Sequence, residues 1–254
     1  MALERSLARM HTTVEIAVDT IAGVCAAKKA QASSVELASA LFEAGGLTPS
    51  LALVEEAVKT GIDVHVMIRP RPGGFYYTED ELDIMRKDIV HACKAGAKGV
   101  VFGIADETGT GLDVERMREL TNLAADNGAK AVTLHRLFDV LPDRNRALLQ
   151  VAGVGVTRVL TSGGKDTAVD AQAELGGLVT IADTMGVEIV AGGGITPENV
   201  HELRDVRLHG IHASCKMLST TTGPAGPGGG SAPHYVTDPA AVKKLVDIIS
   251  PWTR

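Results

Sequence analysis

Eight short runs rich in β-branched residues alternate with eight longer amphipathic stretches, and no other feature constrains the fold of this chain as tightly. The runs are Thr13–Val18, Val35–Ala38, Val64–Ile68, Gly99–Gly103, Ala131–Leu134, Thr157–Leu160, Val187–Ala191 and Gly210–Ala213. Helical periodicity covers Asp19–Ala30, Ser50–Thr60, Glu79–Ala95, Asp113–Asn127, Arg144–Val151, Ala168–Met185, Pro197–Val206 and Pro239–Ile249. Thr48-Pro-Ser, Thr78-Glu-Asp-Glu and Thr196-Pro-Glu place a capping oxygen ahead of a helix. Gly61, Gly96, Gly128, Gly153 and Gly186 stand where a left-handed residue ends one. Over 254 residues, with no break in composition at mid-chain, the pattern predicts an α/β fold, a single TIM-type (β/α)8 barrel over residues 13–254. A doubly wound open sheet is the competing arrangement.

Two segments fall outside the pattern. Residues 1–12 hold no strand and read as a short helix or arm. The Gly/Pro-rich stretch Gly223–Pro233 lies between the last strand and the last helix, so it reads either as a lid on the site face or as a plain loop.

Composition excludes several functions. With 25 Lys+Arg against 31 Asp+Glu, a net charge of −6, no basic field draws nucleic acid or anionic lipid. Aromatic residues at 3% leave little for base stacking. The charged start of the chain and the lack of a long apolar run predict a cytoplasmic protein with no membrane partner. Cys25, Cys93 and Cys215 form no disulfide framework. There is no Walker loop, and the glycine run after Ala191 lacks dinucleotide-binding spacing. No lysine falls on an inner strand face, so Schiff-base chemistry has only Lys165 and Lys216 at the rim.

Because side chains alternate along a strand, each run divides into an outer and an inner set. The inner sets contain Glu15, Glu36, His65, Met67, Arg69, Thr133, His135, His212 and Ser214. Stability alone would fill these layers with Val, Ile and Leu, since a buried unpaired carboxylate costs several kcal/mol. Glu15, Glu36, His65, His135 and His212, with Asp139 orienting His135, are therefore the candidate proton-transfer groups. A Glu–Arg pair acting as structural glue, and histidines satisfied in the core, is the plainer account of the same residues.

Anion-binding candidates sit at the strand ends. Arg69 and Arg71 are held by prolines after the third run, and Arg136 follows the fifth. Ser162 and Gly163 follow the sixth, Gly192, Gly193 and Gly194 the seventh, and Ser214 the eighth. The triple glycine is expected to open a helix N-terminus, an anion site, although a tight turn explains it too.

Several segments resemble one family in order along the chain. Val35-Glu-Leu, Gly45-Gly-Leu-Thr-Pro-Ser50, His65-x-x-Ile-Arg-Pro-Arg71 and Thr133-x-His-Arg-x-Phe-Asp139 are similar to motifs of the CutC copper homeostasis proteins. So are Arg158-Val-Leu-Thr-Ser-Gly163, Ala191-Gly-Gly-Gly and His212-Ala-Ser214. The resemblance implies a cytoplasmic barrel that forms a dimer or tetramer and handles copper. The cysteines that family members carry in the first two strands are absent, since Ala17, Val18 and Ala38 stand there. Copper would fall to Cys215, His212 and Met67, a poor set for Cu(I), which favours thiolates. Three readings stay open: copper homeostasis, a barrel isomerase, aldolase or lyase acting on a small anionic or phosphorylated metabolite, and a ligand-binding scaffold without catalysis.

Overall fold

The protein was analysed as a computed structural model, which describes residues 11–219 and 234–254. Residues 1–10, read as an arm, and the Gly/Pro-rich stretch, read as a lid or loop, lie outside the described residues. Eight parallel strands close into a barrel in sequence order. They are β1 (Thr13–Val18), β2 (Ser34–Leu37), β3 (Asp63–Met67), β4 (Gly99–Phe102), β5 (Ala131–Leu134), β6 (Arg158–Thr161), β7 (Glu188–Gly192) and β8 (Gly210–Ala213). Every expected strand is present, within a residue of the bounds read from the sequence.

The outer ring is α1 (Ile21–Lys29), α3 (Leu51–Lys59), α4 (Glu79–Lys94), α5 (Val114–Asp126), α7 (Arg144–Gly153), α8 (Gln172–Asp183) and α9 (Pro239–Ile249). Capping follows the sequence signals. Thr78 and Glu81 form a reciprocal capping box on α4, and Asp238 caps α9 ahead of Pro239. Helix α1 starts two residues later than expected because Thr20 accepts from the Gly23 N–H. Gly153 belongs to the last turn of α7, and Gly155, at φ 83°, supplies the left-handed residue instead.

Two departures matter for the site. The segment after the triple glycine is not an α-helix: a turn leads to a 3-10 helix over Val200–Val206. The expected helix N-terminus is therefore missing there. Two four-residue helices, α2 (Leu41–Ala44) and α6 (Leu137–Val140), also sit at strand C-termini, and β9 (Lys216–Leu218) pairs with β10 (Tyr235–Thr237).

Outward side chains such as Ile16, Val18, Val35, Val100 and Ile189 pack against the helices in one continuous core. Inside the barrel the apolar filling is small, a cluster of Ala38, Met67 and Val101. Ala17, Leu160 and Val190 add to it, and charged and imidazole side chains occupy the rest of the inner face. Strand register sets Glu15 beside His212 on β8, and Glu36 beside His65 on β3.

Candidate active site

The inner face of the barrel carries two polar layers of different character. Glu15 is 1% exposed and lies at the centre of the lower one. Its Oε2 meets Arg158 Nη1 at 2.8 Å, His65 Nδ1 at 2.7 Å and Ser34 Oγ at 3.0 Å, while Oε1 faces His212 Nδ1 at 3.0 Å. Burial alone would raise the Glu15 pKa. The charge of Arg158 and the hydrogen bonds of His212 and His65 outweigh it and hold the carboxyl well below its usual range. This is a buried carboxylate satisfied on both oxygens.

Arg158 is the residue that the sequence reading missed. It opens β6 and turns its side chain inward onto Glu15, on the same face as Leu160. The signal was present: a charged residue opening a β-branched run, at a position alternating with Val159.

The upper layer opens into a cavity of about 660 Å³ at the C-terminal end of the strands. Glu36, Met67, Arg69, His135 and His212 line it. Glu15 and His65 do not; they sit beneath its floor, and His65 borders a smaller cavity at the opposite mouth. The six proton-transfer candidates therefore divide. Glu36, His135 and His212 reach the chamber, Glu15 supports them from below, His65 belongs to the ion-pair network, and Asp139 lies elsewhere.

Glu36 is 3% exposed. Its Oε1 lies 4.0 Å from His212 Nε2, and its Oε2 has no hydrogen-bond partner. Burial, with the Glu15 charge adding to it, pushes the Glu36 carboxyl above the usual range. For His212, burial opposes protonation, but Glu36 and Glu15 together hold its pKa above the ordinary imidazole value. The result is a line of acid–base groups, Glu15 to His212 to Glu36, ending at the chamber wall.

His135 is held differently. Its ring stacks 4.5 Å from that of Phe75, and the Leu137 N–H donates to its Nδ1 at 3.3 Å. Burial, helped by the Arg69 charge, brings its pKa down to about 3. A neutral ring that accepts at Nδ1 carries its hydrogen on Nε2. That Nε2 is buried without a partner.

The anion-binding candidates sort as clearly. Arg69 lines the chamber, but its amino groups donate to the carbonyls of Ala44, Gly46 and Gly73, and only Nε is unpartnered. Arg71 turns away onto Glu81, so the paired forks expected after β3 reduce to one. Asp139 organises a loop: it accepts from the N–H groups of Ser162 and Gly164, from Arg136 Nε at 2.7 Å and from Thr161 Oγ1. Ser162 and Gly163 are engaged inside that loop and do not border the chamber. Gly192 ends β7 against Leu160, and a β-carbon there would come within 2.7 Å of it. Gly193, Gly194 and Ser214 do line the chamber. Gly193 sits at φ +115°, where a β-carbon would meet Arg136 Nη1 at 3.3 Å, and neither glycine N–H has an acceptor among the described residues. Arg136, not Arg69, is thus the guanidinium over the glycine loop.

Among the described residues, clustered metal donors are few. One carboxylate oxygen each from Glu15 and Glu36 and a nitrogen of His212 lie within 4.8 Å of one another. These are hard and borderline donors, and Glu15 is already held by Arg158, Ser34 and His65. Cys215 and Met67 border the chamber, but burial pushes the Cys215 thiol to about 12, so it is not a thiolate. Cys25 and Cys93 lie on α1 and α4, outside the barrel. The set does not fit Cu(I).

Comparison with known proteins agrees with the architecture. A CutC family protein of Agrobacterium fabrum is 39% identical over 241 residues, covering 93% of this chain and 94% of its own. One from Caulobacter vibrioides is 43% identical over 198 residues, 78% of each chain. The crystal structure of a CutC protein of Streptococcus agalactiae, described as a candidate copper homeostasis protein, superposes with TM-score 0.73 at 31% identity, covering 80% of this chain and 98% of that one. Phosphoribosyl anthranilate isomerase of Thermus thermophilus, at 13% identity and TM-score 0.55, shares the fold alone. The CutC family profile matches residues 12–217, and with these relatives it shows that the chain belongs to the CutC family.

Proposed function

We propose that this CutC family chain is a barrel enzyme that moves protons on a small anionic metabolite held in the C-terminal chamber. One observation carries the reading. Of the seven buried side-chain polar atoms without a partner among the described residues, three belong to residues of the chamber wall: Glu36 Oε2, Arg69 Nε and His135 Nε2. Buried polar groups are nearly always paired, and each unpaired one costs about 1–3 kcal/mol. Three around one cavity fit a ligand that completes them. The anion would sit at the rim, on the Gly193 and Gly194 N–H groups and Arg136 Nη1, as backbone nests hold phosphate and carboxylate.

Calorimetric titration with inorganic phosphate, 2-phosphoglycolate and oxalate tests the reading. Removing a charged hydrogen bond costs about 1.5–3 kcal/mol, so Arg136→Ala should weaken binding roughly 10- to 100-fold. Unchanged affinity in that variant, or no binding of any of the three, overturns the anion site.

The copper reading that the family name carries finds little support in these donors, and the cargo it would need is Cu(I) on soft ligands. Cu(I) added at one equivalent should pass entirely to a weak chelator in competition, and Cys215→Ser should change nothing. Retention of copper, lost in Cys215→Ser, would restore that reading. A cytoplasmic dimer or tetramer belongs to this proposal as well; none of the described helices is long and apolar enough to cross a membrane.

A further inference from the structure

The chamber does more than bind an anion, because its unpartnered atoms are of opposite kinds. Glu36 Oε2 is an acceptor and the His135 Nε2–H a donor, and the two come from β2 and the end of β5, three strands apart around the closed barrel. Arg69 Nε, at the end of β3 between them, adds a second donor. We infer that the site abstracts a proton from carbon next to a carbonyl group, with Glu36 as the base and His135 as the neutral donor to the carbonyl oxygen. The substrate class is then a small carbonyl compound with an acidic α C–H and one phosphate or carboxylate group. This deepens the preceding reading and rests on it.

The step balances without a further reactant. The α C–H bond breaks and its proton passes to Glu36 Oε2. The electron pair forms a carbon–carbon double bond, and the carbonyl π pair moves onto oxygen, giving an enolate. Oxygen then receives hydrogen bonds from His135 Nε2–H and Arg69 Nε–H. Return of the proton to the same carbon gives back substrate. Where that carbon also carries a hydroxyl, passage of the hydroxyl proton to the enolate oxygen and return of the abstracted proton to the former carbonyl carbon give the isomeric carbonyl compound. No oxidation state changes overall.

Each group is shaped for that part. A base for carbon acids works best when its carboxylate is poorly solvated, and Glu36 is 3% exposed, with its other oxygen facing His212 at 4.0 Å. The donor must polarise oxygen without surrendering its own proton, and a neutral imidazole does so. The Leu137 N–H at Nδ1 and the Phe75 ring fix the tautomer and the plane of His135. Burial and the neighbouring Arg69 keep the ring uncharged throughout the neutral range. The donors stand in place before reaction, so charge developing on oxygen needs no reorganisation.

The test is exchange of α-protons in D2O, followed by proton NMR, with dihydroxyacetone phosphate and pyruvate as probes. Enzyme-dependent exchange is expected with at least one of them. Glu36→Gln should slow it at least 100-fold, the usual effect of losing a general base. His135→Leu should slow it a further order of magnitude more than His135→Gln, which keeps a neutral N–H. Thermal melts of each variant separate a lost fold from lost chemistry.

A binding arm distinguishes the failure of this inference from that of the anion reading. The planar enolate mimics 2-phosphoglycolate and oxalate should bind at least 100-fold more tightly than glycerol 3-phosphate and lactate, which carry a tetrahedral carbon in place of the carbonyl. Equal binding of mimics and tetrahedral anions, with no exchange of either probe, overturns the proton abstraction and leaves the anion site standing. Failure of all four to bind removes both.

Discussion

Replacing Arg158 by Met is expected to destabilise the barrel by about 3–5 kcal/mol, the effect of stripping one partner from a buried ion pair. Arg158 Nη1 is 2.8 Å from Glu15 Oε2, and the side chains are 7% and 2% exposed. Without the guanidinium, Glu15 keeps only His65, Ser34 and His212 and must either stay charged in the core or take up a proton. Glu15→Gln in the same chain should recover more than half of the loss, because an amide needs no counter-charge. Urea unfolding at pH 7 of wild type and the two variants checks both numbers. A loss below about 1 kcal/mol for Arg158→Met would mean that water reaches Glu15 from the lower mouth and that the layer is less dry than its burial implies.

Acid should act first through His135. Its folded pKa of about 3 lies below the ordinary 6.5, so the unfolded chain takes up a proton that the folded chain refuses. Stability from this group is fully present above pH 6.5 and falls as the pH drops towards 3. The loss is about 2 kcal/mol by pH 5 and on the order of 3–5 kcal/mol in all. Glu15 follows only later, since its lowered carboxyl gives up stability below its ordinary 4.5. Glu36 works in the opposite sense. Its pKa is raised, so the buried carboxylate costs stability at high pH and the cost vanishes as it protonates. Comparing wild type with His135→Gln between pH 7 and 5 isolates the histidine. Parallel curves for the two proteins would show that His135 becomes protonated in the folded state, and the neutral-donor role would go with it.

The two layers differ in how completely their polar atoms are paired. The lower layer is closed on itself, each polar atom of Glu15 answered by another chain segment. The upper layer is left with unanswered atoms on β2 and just past the ends of β3 and β5. A barrel selected for stability alone would show neither, and a barrel built only for structural ion pairing would show the first without the second.

Much of this was legible in the residues. Eight runs of β-branched side chains could close only into strands, and the glycines and capping residues between them marked where helices stop and start. Period-two alternation put Glu36, Met67, Arg69, His135 and His212 on the inner face, where they are found. Alternation says which face a residue takes, and backbone sterics enforce it locally. It does not say at what depth, and depth separates Glu15 and His65 below the floor from Glu36 and His135 at the wall. Depth follows from the stagger between neighbouring strands, a property of the closed sheet. The rim was decided in the same way. Arg71 finds Glu81, Asp139 gathers the loop after β6, and Arg136 comes to lie over Gly193. These pairings depend on where loops from distant segments meet. Arg158, the counter-charge on which the buried Glu15 depends, alternates with Val159 inside the sixth run, and only closure of the barrel brings it to Glu15. Local sequence determined the strands and their faces through short-range sterics and burial, while only tertiary closure decided which buried charges would be answered and which would be left facing the chamber.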